Sequence, residues 1–168
     1  VVGRCAGAGI LAISAANKTS FLNGGAGFRA PATDGGGASL ARNIAYGNRG
    51  PGLLWEGSGT PELACNDWFD NAGGMVAGTD VGETDVSLDP MFCDLAEDDV
   101  HLGADSPLLS LTGCGLVGAL GQGCVAVPMH FSLSPSVLNL RSNGRWVAGC
   151  LQPPVGYTAE EIDVRSIQ

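Results

Sequence analysis

Three stretches of this chain superpose residue for residue: AANKTSFLNGG (15–25), LARNIAYGNRG (40–50) and LACNDWFDNAG (63–73). Asn23, Asn48 and Asn71 then correspond, at intervals of 25 and 23. An aromatic stands two residues before each (Phe21, Tyr46, Phe69) and a glycine two residues after (Gly25, Gly50, Gly73). Three residues past each glycine comes an apolar side chain, Phe28, Leu53 or Val76. A unit in the low twenties that cannot bury its own apolar face must stack on its neighbours, as a leucine-rich repeat or as the coil of a parallel β-helix. The leucine-rich pattern LxxLxLxxN is absent, so the parallel β-helix is the architecture expected. Equivalent side chains then stack along the axis. The aromatics are expected inside at about the 4.8 Å strand spacing, with the asparagines passing amide hydrogen bonds from coil to coil.

Glycine supports the same reading: 27 of 168 residues is more than twice the ~7% of ordinary domains, without the period of three of collagen. Clusters such as Gly24-Gly25, Gly35-Gly36-Gly37 and Gly73-Gly74 interrupt helices and permit tight turns. The formal charge of -9, from 8 Lys and Arg against 17 Asp and Glu, repels phosphate backbones, and nucleic acid is not an expected partner. No run of 18 apolar residues exists to insert in a membrane. Six cysteines (Cys5, Cys65, Cys93, Cys114, Cys124, Cys150) contain no CxxC pair, and His101 and His130 have no finger-like spacing to them. Disulfides in an oxidising compartment are the expectation, with Cys114–Cys124 proposed first because they bracket a short glycine-rich segment. Cys65–Cys93 is the second proposal, and Cys5 and Cys150 are left free or paired elsewhere.

From Asp85 the pattern becomes less regular, with turn signals at Asp89-Pro90, Asp98-Asp99 and Ser106-Pro107. Terminal repeats are expected to be atypical, and the stretch to Cys124 would hold roughly five coils in all. After Val125 the texture changes again. Val137, Leu138 and Leu140, then Trp146 and Ala148, flank Ser142-Asn143-Gly144, a hairpin signal with Trp146 expected to pack inward. The division expected is therefore 1–124 for the coils and their closing segment and 125–168 for a small β element that is incomplete.

The pieces NDWFDN (66–71), DPMFCD (89–94), HLGADSP (101–107) and GLVGALGQGC (115–124) occur in the order in which similar pieces end the coils of secreted bacterial right-handed parallel β-helix proteins. The chain resembles that pectate-lyase-like superfamily over about residues 1–124, and the segments LNLRSNGRWV and GYTAEEIDVRSI resemble the start of the small β module that follows such domains. The resemblance implies an all-β, right-handed parallel β-helix, a secreted or cell-surface location, and a parent chain that continues on both sides. Members include enzymes and adhesins, so it does not carry a function.

No cluster reads as an active site, and no catalytic residue, cofactor or metal ligand is assigned. Gly7-x-Gly9-x-x-Ala12 and Gly113-x-Gly115-x-x-Gly118 lack the strand and helix that a dinucleotide site requires. Asp67, Asp70 and Glu56, with Arg42 and Lys18, are the acidic and basic candidates for glycoside or lyase chemistry. Against that reading, loops of any soluble β-helix carry charges. Asp94, Glu97, Asp98 and Asp99 are dense enough in oxygen for calcium, but a solvated turn explains the same residues and is the reading favoured. Trp68 is expected to point opposite to Phe69 and outward, where it would stack on a sugar ring or a surface protein. Asp67 shares the position of Thr19 and Ile44 and would face the same side as Phe69. Truncating Phe69 to alanine is expected to cost about 3–5 kcal/mol if its ring is interior. The function expected is a noncatalytic extracellular scaffold presenting loops to a glycan or surface protein. The alternative is a fragment of a carbohydrate-active β-helix enzyme, and whether the chain is an enzyme stays open.

Overall fold

The computed structural model describes residues 1–32, 37–124, 130–134 and 148–152, in two compact units, Val1–Val125 and Ala126–Gln168. In the first, strands β1 (Val2–Gly3), β4 (Thr19–Phe21), β7 (Ile44–Tyr46) and β10 (Asp67–Phe69) form one sheet in that order. A second sheet contains β2 (Ile10–Leu11), β5 (Phe28–Ala30), β8 (Leu53–Trp55) and β11 (Val76–Ala77), and a third contains β3 (Ser14–Ala16), β6 (Ser39–Ala41) and β9 (Glu62–Ala64). Every pairing among them is parallel and joins a strand to the one three places on. The chain therefore winds through the three sheets in turn, and its only helical segment among the described residues is a 3-10 turn at Pro107–Leu109.

The register is the one read from the repeat: Phe21 pairs with Tyr46 and Tyr46 with Phe69. Their sidedness differs from expectation. Between the sheets lies an apolar interior of Ala15, Phe28, Ala30, Ala38, Leu40, Ala45, Leu53, Trp55 and Trp68. The first sheet contributes to it through Ser20, Ala45 and Trp68, which are in register, and strands alternate their faces. The aromatic column is consequently on the outer face, beside Thr19, Ile44 and Asp67. Toward β10 the small side chains of Ser20 and Ala45 give way to the large indole of Trp68. Gly52 makes room for the last of these, because a Cβ there would lie 2.9 Å from Trp68 Cε3 and 2.6 Å from the Met75 carbonyl oxygen.

A second layer covers that outer face. Val86 forms a parallel bridge to Asp67, with Trp68 N–H donating to Val86 O (3.0 Å) and Val86 N–H to Asn66 O (2.8 Å), so 85–88 is one more rung on the edge of β10. Beyond it the winding stops rather than completing roughly five coils. Strands β12 (Phe92–Asp94) and β13 (Asp99–Leu102) pair antiparallel, and the chain then returns along the first sheet. Ala119 N–H reaches Thr19 Oγ1 (3.0 Å), Gly118 N–H reaches Arg42 O (2.8 Å), and Arg4 holds Leu95 O (2.9 Å) and Asp98.

Ile44, Leu102, Leu108 and Val117 are buried between layer and sheet, with Tyr46, Val86, Leu88 and Phe92 packed against them. The 3-10 turn that carries Leu108 is capped by Ser106, whose Oγ accepts from Leu108 N–H (3.3 Å). This return path decides the disulfides, which are Cys65–Cys114 and Cys93–Cys124, with Cα separations of 5.7 and 5.5 Å. The proposals Cys114–Cys124 and Cys65–Cys93 are both overturned. Cys114 lies beside the Leu111–Gly115 bridge over the corner of β9 and β10, whereas the Leu102–Gln122 bridge carries Cys124 to the hairpin that holds Cys93. Cys5 and Cys150 are in neither bridge.

In the second unit β14 (His130–Ser134) and β15 (Ala148–Gln152) pair antiparallel from His130–Gln152 to Ser134–Ala148, so the chain reverses between them. The turn expected at Asn143-Gly144 and the packing of Trp146 lie outside the described residues.

Candidate functional site

Two amide ladders run along the winding. At the corner after the first sheet, Asn23 Nδ2 donates to Asn48 Oδ1 and Asn48 Nδ2 to Asn71 Oδ1, both at 2.8 Å. The same oxygens accept the backbone N–H of Asn23 (3.0 Å) and Asn48 (3.1 Å), and Asn23 Oδ1 accepts that of Cys5 (2.9 Å). A second ladder at the corner before that sheet was not anticipated. Asn43 Nδ2 donates to Asn66 Oδ1 (2.9 Å) and Asn66 Nδ2 to Asp85 Oδ1 (3.0 Å). Asn43 and Asn66 stand five residues before Asn48 and Asn71, but Lys18 occupies the equivalent place in the preceding unit and Asp85 ends the column, which hid the repeat. Buried amides satisfied in this way rigidify a structure and recognise no ligand.

Trp68 is not a surface platform. It is 1% exposed, its ring meets Phe28 edge-on at 5.9 Å, and its Nε1–H donates to Asp85 Oδ2 (2.7 Å). Phe21, under the close approach of Gly3, is buried, whereas Tyr46 and Phe69 are half-buried and stack at 6.0 Å. Phe92 of the covering layer packs edge-on against Tyr46 at 5.3 Å. Burial raises the Tyr46 phenol above its ordinary range, and Asp89 and Asp70 add to the shift.

Asp67 is the unusual group on this face. Strict alternation holds through β10, so its side chain joins Thr19 and Ile44 beneath the covering layer. It is fully buried; Oδ1 accepts from Leu88 N–H (2.8 Å), and Oδ2 is buried without a hydrogen-bond partner. Burial raises its carboxyl to about 7, opposed by the Leu88 bond and reinforced by Asp89 and Asp85.

The remaining charged candidates are dispersed. Lys18 Nζ donates to Ala16 O (3.0 Å) and Arg42 Nε to Asn17 Oδ1 (3.3 Å), so neither joins Asp67. Glu56 is held by Arg29 through two hydrogen bonds of 2.8 and 3.0 Å, which depress its carboxyl. Asp94 Oδ1 accepts from Ala96 and Glu97 N–H and closes the β12–β13 turn, and Asp98 pairs with Arg4. Asp99 meets His101 Nδ1 at 2.6 Å, and that bond lowers its carboxyl. Asp70 is exposed, and His130 opens β14. Among the described residues no three His, Cys, Asp or Glu side chains converge on a point where a metal could sit.

Variation in the winding is confined to one corner. Across the first and second sheets the first two circuits are offset by 18 residues (Gly3–Phe21, Ile10–Phe28). The offset becomes 25 in the third sheet (Ser14–Ser39), stays 25 through the next first and second sheets, and changes to 23 in the third (Ser39–Glu62). Every change in length among β1–β11 therefore falls between the second and third sheets, in connections 12–13, 31–38 and 56–61, and the 85–88 rung then follows β10 at the shorter offset of 19. The last of these is anchored from inside: Trp55 Nε1–H donates to Gly59 O (2.8 Å), and only a glycine at 57 fits against the indole face. Ser58, Gly59 and Thr60 are exposed. This corner went unrecognised in the sequence, although the unequal intervals of 25 and 23 contained the signal. In comparison with known proteins, no family model, no curated protein and no solved structure matches the chain.

Proposed function

We propose that this chain is a noncatalytic extracellular or cell-surface scaffold, a right-handed parallel β-helix of the pectate-lyase-like kind, which presents the connections of one corner to a glycan or a surface protein. The observation that carries the reading is the confinement of length changes to that corner. Connections that vary on a rigid frame are where binding surfaces are built, and here the frame is fixed on both faces of its first sheet. The two disulfides support an oxidising compartment, since such bridges persist outside the reducing cytosol. The Arg29–Glu56 pair on the outer face of the second sheet gives the corner a polar margin suited to hydroxyl-rich or charged partners.

The test is a panel of neutral glycans and polyuronides, read both for binding and for new reducing or unsaturated ends. Binding without turnover, abolished by replacing 58–60 with alanines while the melting temperature holds, is the expected result. Turnover above the buffer control, or binding indifferent to that replacement, overturns the proposal.

A further inference from the structure

We propose that Asp67 makes the 85–88 rung a pH-sensitive clasp, closed over the edge of β10 in acid and released from it as the solution becomes neutral. The rung is held by backbone bonds between Val86 and residues 66 and 68, by Asp85 at the end of an amide ladder, and by Leu88 N–H on Asp67 Oδ1. Only the last of these involves a fully buried carboxyl, and its second oxygen has no hydrogen-bond partner. Ionisation would leave a buried charge without a cation, a state that folded structures avoid.

The charges around it aggravate that state. Asp85 and Asp89 face Asp67 from the covering segment, and both act against its ionisation. On β7 its register partner is the apolar Ile44, and the next outward residue is Tyr46, a weak acid whose own ionisation is disfavoured. Leu102, Leu108 and Val117, the other members of the cluster that contains Ile44, bring no charge. Among the described residues no Lys, Arg or His pairs with Asp67.

The folded carboxyl titrates at about 7 against 3.8 when released. A group whose pKa is raised by folding stabilises fully below its released value and ceases to do so above its folded value. The clasp is therefore tightest below about pH 4 and weakens through the interval up to about 7. Cys65–Cys114 and Cys93–Cys124 pin the chain on either side of the rung, so release is local.

Amide hydrogen exchange at Leu88 and Trp68 in the full chain, corrected for intrinsic rates, tests the clasp between pH 4 and 8. The opening equilibrium is expected to rise about tenfold per pH unit up to about 7 and then level off. Asp67→Asn, which keeps the acceptor for Leu88 and cannot ionise, is expected to give a level profile. A level profile in the wild type, or an unchanged slope in the variant, overturns the proposal. Carbon-13 NMR of the wild-type Asp67 carboxyl supplies a reading that needs no variant: a midpoint near 7 is expected, and one near the ordinary aspartate value overturns it.

Discussion

At the scale of single residues the amide ladders show why asparagine, rather than aspartate or serine, recurs at these corners. Each interior rung must accept from the rung before it and donate to the rung after it, and only a carboxamide does both on one side chain. Asp85 is tolerated because it ends its column, where acceptance alone is required. Replacing Asn66 by aspartate would set a carboxylate against Asp85 and remove the donor that serves it. A loss of about 2–4 kcal/mol in urea unfolding is expected, because a buried polar group is left unpaired and a like charge is added. Asn71→Asp places a carboxylate at the end of the other column, where its oxygen still accepts from Asn48 although the bond to Ala45 O (2.9 Å) is lost, and is expected to cost less because no second carboxylate faces it. The ladder of Asn23, Asn48 and Asn71 was legible in the sequence because residue type and interval repeat together. The ladder of Asn43 and Asn66 was not, since lysine and aspartate stand at its two ends.

The elements show a different limit of legibility. Alternation fixes which residues share a face of a strand but says nothing of which face is inside when both are buried. From the repeat, Phe21, Tyr46 and Phe69 are expected to stack inside as equivalent aromatics of successive coils. The true interior column of Ser20, Ala45 and Trp68 looks outward-facing only because it begins with a serine. Trp68→Ala is accordingly expected to cost about 3–5 kcal/mol, since the indole is enclosed and its N–H satisfied. Phe69→Ala is expected to cost about 1–2 kcal/mol, below the figure for an interior ring, because part of the phenyl already meets solvent. Chemical denaturation of the two variants side by side checks the order, and a larger loss for Phe69 would restore the inward assignment. The disulfides were illegible for a related reason: spacing alone cannot reveal that 103–124 turns back over the first sheet.

For the whole molecule, the covering layer and the winding are coupled through one cross-link, Cys65–Cys114, one buried acid and the ion pair of Arg4 with Asp98, while Cys93–Cys124 ties the layer to itself. Serine at both Cys65 and Cys114 opens a loop with a sequence separation of 49, for which chain entropy gives about 4 kcal/mol. Calorimetry of that double variant is expected to show the loss, together with dye binding to the exposed outer cluster. Unfolding free energy should also fall from pH 4 to pH 7 by as much as about 4 kcal/mol through Asp67, the sign following from its raised carboxyl. Asp99 acts in the opposite sense, its stabilisation being present above the ordinary aspartate range and lost in stronger acid, but solvent screening leaves little of it at an exposed pair.

The stepwise offsets have a consequence for how such a chain can diversify. A strand re-entered one residue late presents its other side to the interior, so a single insertion at a two-residue corner such as 42–43 would act like a frameshift on every rung that follows. At 56–61 only Glu56 and the Trp55–Gly59 contact are fixed, and extra residues past Gly59 are absorbed before β9 begins. Among the described corners it is the one that takes foreign peptides without rewriting the rest, which makes it the natural cassette site for grafted epitopes and for indels alike.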